Sequence, residues 1–78
     1  MNQQTFEQAC IKAATMIAVD QGHAEYWQGY RRGVRRAHFG EQFGTKAEHD
    51  LWSSMAGEPG DSNRRERGRG YLDGLATK

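Results

Sequence analysis

Apolar residues recur along the first twenty positions at intervals of three and four. Phe6, Cys10, Ala13 and Ile17 share one side, with Ala9 and Met16 beside them, and this period predicts a helix over about residues 6–20. Thr5 and Gln8 have the spacing of a capping box ahead of it, and Gly22 is placed to end it. A second helix is predicted over about 24–38, with Tyr26, Trp27, Tyr30, Val34 and Ala37 on one side. Gly40 and Gly44, interleaved with Phe39 and Phe43, mark its exit turn. Thr45 and Glu48 form another capping box, opening a short helix over 46–55 with Ala47, Leu51 and Met55 inward and Trp52 beside them. Pro59 and Gly60 give residues 57–63 the character of a loop. A last helix over 64–75 follows, capped by Ser62 or Asn63. No segment alternates with period two, so no strand is expected. The expected fold is all-α, a compact bundle of about four short helices in a single domain.

Size limits what such a bundle can bury. At 78 residues and 36% apolar, the core is thin, and a partner or a second copy would add stability. The lone cysteine, Cys10, cannot close an internal disulfide and fits a reducing compartment. Met1–Glu7 lacks the basic start and apolar run of a secretory leader, and no stretch approaches the ~20 apolar residues of a membrane span. A soluble, cytoplasmic protein without membrane contact is expected.

Charge changes the picture more than composition does. The formal net charge is only +1, yet eight of the eleven basic residues are arginines in two clusters. The first comprises Arg31, Arg32, Arg35 and Arg36, and the second Arg64, Arg65, Arg67 and Arg69. At about 100° per residue, the first four fall in an arc of about 140° on the helix, opposite the aromatic stripe. A solvated face with internal pairs such as Arg32–Glu25 or Arg69–Asp73 would be the plain reading. Four arginines on one side of one helix exceed what solubility asks, and the planar guanidinium suits two-pronged contact with phosphate or carboxylate. The Arg31–Arg36 face is therefore the expected partner-binding surface, with Arg64–Arg69 as its extension.

A short repeat links the two arginine-bearing helices. Gly29-Tyr30-Arg31-Arg32-Gly33-Val34 and Gly70-Tyr71-Leu72-Asp73-Gly74-Leu75 share the pattern G-Y-x-x-G-(V/L), and Glu25 and Glu66 precede them at equal distance. Glycines inside helices cost about 1 kcal/mol each, so a close approach of two backbones is the expected compensation, each tyrosine filling space beside the other's glycines. With its Arg-rich helix, over Trp27–Arg36 and Gly68–Ala76, the pattern resembles the ribosome modulation factor family. That resemblance implies a small bacterial protein of helices joined by a connector that binds and hibernates the ribosome.

Catalysis finds no footing. His23, His38, His49 and Cys10 sit in none of the spacings that hold a metal, so neither a metal nor another cofactor is expected. Glu48, His49 and Asp50 bring acid and base types together, but helix neighbours diverge by about 100°. No phosphate-binding glycine loop is present, and Arg67-Gly68-Arg69-Gly70 is a single short RG segment. What remains is binding. The first expectation is a non-enzymatic modulator or inhibitor that docks on a large protein or protein–nucleic acid complex, touching RNA or DNA phosphates or acidic protein patches. Ribosome modulation and a phage-type, anti-CRISPR-like inhibition of a bacterial defence complex both fit, the second by analogy of size alone. The alternative is a homodimeric protein–protein interaction module, and a small DNA-binding regulator comes third.

Overall fold

A computed structural model describes residues 2–77. Those residues form four helices, α1 (Gln3–Val19), α2 (Ala24–Phe39), α3 (Lys46–Met55) and α4 (Ser62–Leu75). Single 3-10 turns at Gln21–His23 and Gly40–Gln42 lead into and out of α2. Among the described residues there is no strand, and the all-α bundle of about four helices expected from the periodicity is what forms.

The ends of the helices follow capping chemistry, with three differences from the sequence reading. First, α1 begins three residues early. Asn2, not Thr5, is its cap, accepting a hydrogen bond from the Thr5 amide at 2.8 Å. Second, α4 starts at Ser62 because Asp61 caps it, accepting from the amides of Asn63 (3.0 Å) and Arg64 (3.3 Å). Third, Thr45 caps α3 as expected, accepting from the Glu48 amide at 3.1 Å, but the Glu48 carboxylate does not close the box. It reaches instead to Arg32 on α2. Thr45→Ala is expected to cost about 1 kcal/mol. That should appear in thermal melting as a drop of roughly 4–8 °C.

Packing is centred on α2, with α1 against one side, α4 against another, and α3 resting on α4. The assembly is flat, 37 × 31 × 16 Å between Cα extremes. So thin a slab buries few large side chains. Ala9, Ala13, Val34, Met55 and Tyr71 are the buried apolar residues, and α1 contributes only its two alanines. Leu51 and Ala47, expected inward on α3, are exposed; Met55 alone is buried on that helix.

The space that side chains do not fill is closed by backbone. Gly29, Gly33, Gly70 and Gly74 are all buried where α2 crosses α4. A Cβ on Gly29 would lie 2.7 Å from the Arg67 carbonyl carbon, and one on Gly70 would lie 2.8 Å from that of Tyr26, with the carbonyl oxygens nearer still. Added to Gly33 it would come within 2.9 Å of the Leu75 nitrogen, and to Gly74 within 2.8 Å of the Val34 nitrogen. The pairs 29 with 67, 26 with 70, 33 with 71 and 30 with 74 rise together, so the two helices run in the same direction. They also interchange under the shift that maps Gly29 onto Gly70, which makes the crossing a local pseudo-two-fold built from the repeat. The glycines thus meet backbone, not tyrosine rings as the sequence suggested. The Tyr71 ring turns to His49 and Trp52, and the Tyr30 ring to Trp27. Gly68 makes the same kind of approach to α3, where a Cβ would sit 2.6 Å from the Met55 carbonyl carbon.

Candidate functional site

The two arginine clusters meet different fates, and carboxylates on other elements decide which. In the second cluster, Arg64 holds Glu58 through two hydrogen bonds of 2.6 and 3.0 Å, and Arg65 donates to the Glu58 carbonyl at 3.4 Å. Arg67 crosses to Glu25 at the start of α2, tying the helix pair together, and Arg69 pairs with Glu66 at 3.4 Å. All four point to internal acceptors on several sides of α4. None of the four lines the groove described next, and the pairs Arg32–Glu25 and Arg69–Asp73 are replaced by others.

The first cluster divides. The Arg32 guanidinium lies over the rings of Trp52 (4.8 Å) and Phe43 (5.5 Å) and pairs with Glu48 at 2.5 Å, so it locks α2 to α3 and to the connector between them. Arg36 donates to the Phe43 carbonyl at 3.1 Å. Arg31 and Arg35, one turn apart, have neither an ion pair nor a hydrogen bond among the described residues. They lie on the floor of a groove of about 330 Å³ that Gln28 and Arg32 also line. Ile17 of α1 forms one wall, and Phe43 and Trp52 form the other. Gln28 shares the arc of Arg31 and Arg35 on α2 and is legible on a helical wheel. Ile17 and Phe43 enter the groove from other elements, and no single-helix pattern signals them.

Apart from the buried His38 Nδ1, which has no hydrogen-bond partner among the described residues, the acid, base and imidazole groups that resemble catalytic or metal-binding chemistry are engaged elsewhere. Glu48 faces Arg32, Asp50 faces Lys46 at 2.9 Å, and the His49 Nδ1 lies 2.6 Å from the Tyr71 hydroxyl. Lys46 holds the Asp50 carboxyl below its ordinary range. His23 is exposed and pairs with Asp20 at 3.0 Å, an interaction that raises the imidazole and lowers the carboxyl. His38, half-buried, stacks on Phe6 with ring centres 4.0 Å apart. Among the described residues no three His, Cys, Asp or Glu side chains gather as a metal would require.

One titrating group bears on the helix crossing. Tyr26 on α2 donates its hydroxyl to Asp73 on α4, and burial, followed by that hydrogen bond, pushes its pKa up to about 12 from 10.0. Burial raises Tyr71 as well. The folded chain holds a phenolic proton that the unfolded chain releases near pH 10. The stabilisation is therefore complete below that pH and is lost as pH climbs toward 12. Melting temperature should fall across pH 10–12 in the parent, and less steeply in Tyr26→Phe.

Comparison with models of protein families, with curated proteins and with solved structures finds no match to this chain.

Proposed function

We propose that this chain is a non-catalytic docking protein that modulates or inhibits a larger assembly, which it grips through the groove floored by Arg31 and Arg35. One observation carries the reading. Of eight arginines, these two alone lack an acceptor among the described residues, and both line the same cleft. Forks of that kind, held on a helix, are suited to planar anions, phosphate or carboxylate. A nucleic-acid-containing machine presents both, in its backbone and in the acidic patches of its proteins.

Affinity capture from a bacterial lysate, with and without nuclease, tests this. The parent chain should retain a discrete assembly that Arg31→Glu/Arg35→Glu fails to retain. Equal capture by both would refute the reading. The competing interpretation, a homodimeric interaction module, draws on Ile11 and Val19, 65% and 71% exposed on α1. It requires a dimer in sedimentation at micromolar concentration, which the docking reading does not.

A further inference from the structure

Resting on the docking reading, we infer that the groove takes an acidic, amphipathic helical segment of a partner protein. The floor supplies two cationic forks one helical turn apart, roughly 5–6 Å, which is the spacing of carboxylates at i and i+3 or i+4 on a facing helix. From Gln28 to Arg35 the floor runs about 10 Å, close to two turns. Ile17 of α1 supplies the apolar wall that a helix with one acidic and one apolar edge needs beside its charges. This is helix-in-groove recognition, with anchors at every third or fourth residue.

Two features weigh against a nucleic-acid strand in the same place. Binding single strands relies on open aromatic faces for the bases. The two rings that wall this groove, Phe43 and Trp52, already carry the Arg32 guanidinium, and Trp52 also leans on Tyr71 with ring centres 5.9 Å apart. The charge distribution is the second. The chain carries +1 overall, and Glu48 pairs with Arg32, which lines the groove. A continuous phosphate backbone would meet that carboxylate, whereas a helix with acids at chosen positions avoids it.

Selection of displayed random peptides of about 16 residues, roughly four helical turns, on the immobilised full-length chain tests the inference. Recovered sequences should carry Asp or Glu three or four residues apart together with Leu, Phe or Met. Fluorescence anisotropy with the most enriched synthetic peptide then reads affinity. Arg31→Ala/Arg35→Ala should weaken it at least about tenfold. At the exposed floor position, Gln28→Glu should weaken binding and Gln28→Lys should strengthen it, opposite shifts that a loss of folding would not produce. A single-stranded RNA of about 12 nucleotides, within the usual site size, should bind at least tenfold more weakly than the peptide. If RNA binds as tightly as the peptide and depends on Arg31 and Arg35, the acidic-segment inference falls and the docking reading stands. Peptides without the acidic and apolar pattern, or no enrichment, also overturn it. Binding indifferent to Arg31 and Arg35 overturns both.

Discussion

Gly70→Ala should lower the melting temperature by roughly 12–24 °C or more. Its Cβ would sit 2.8 Å from both the Tyr26 carbonyl carbon and the Tyr30 nitrogen, and closer to the Tyr26 oxygen. Those atoms belong to the α2 backbone, so no side-chain rotation relieves the overlap, and the two helices must separate. Overpacking a core costs typically 1–3 kcal/mol when side chains can shift, and a rigid backbone neighbour puts this site at about 3 kcal/mol or more. A domain of this length has roughly 4–12 kcal/mol in total. Separation would also weaken the contacts that hold Tyr71 and Val34 in place. Gly22→Ala is the control. Nothing lies within 4 Å of its would-be Cβ, so the change should be neutral or stabilise by up to ~1 kcal/mol. Circular dichroism melting of the two variants checks the pair. A Gly70→Ala melt within a few degrees of the parent would contradict the backbone crossing.

The repeat was visible in the sequence, and so was its purpose as a close crossing, because glycine at positions 29, 33, 70 and 74 has no other use inside a helix. Its depth was not visible. Whether a ring or a carbonyl lies opposite a glycine depends on the register of two segments some forty residues apart. The helices themselves were legible from their 3.6-residue period, but α1 was read three residues short. Gln3, Gln4 and Thr5 are polar, and a polar first turn leaves no mark on an apolar pattern. The cap of α4 was misplaced for the opposite reason: Asp61, Ser62 and Asn63 are all good caps in a row.

Arg31→Glu/Arg35→Glu should abolish docking without unfolding the chain. Each charge-assisted contact to a partner anion contributes roughly 1.5–3 kcal/mol, so losing two and adding repulsion should weaken affinity by about a hundredfold or more. Neither arginine has an acceptor among the described residues, so reversal breaks no ion pair or hydrogen bond there. Arg67→Glu should do the reverse. It removes the pairing with Glu25 that joins α4 to α2 and sets two carboxylates against each other, so it lowers the melting temperature while the folded fraction still binds. The arc of four arginines on α2 was legible from a helical wheel. Its division was not, because Glu48 and the Phe43 carbonyl engage Arg32 and Arg36 across 16 and 7 residues, and no local pattern encodes those meetings.

The central claim is that Arg31 and Arg35 dock while Arg32 and Arg36 hold the fold, and one side-by-side measurement addresses it. Affinity for the captured partner, normalised to the folded fraction from melting, should be determined for Arg31→Glu/Arg35→Glu and for Arg32→Glu/Arg36→Glu. The account predicts a parent-like melt and lost binding for the first pair. The second should melt lower, since it breaks the Glu48 pairing and the Trp52 stack, and should lose clearly less affinity per folded molecule than the first, because Arg32 lines the groove with its guanidinium already engaged. Lost binding in the second pair with unaltered binding in the first would contradict it.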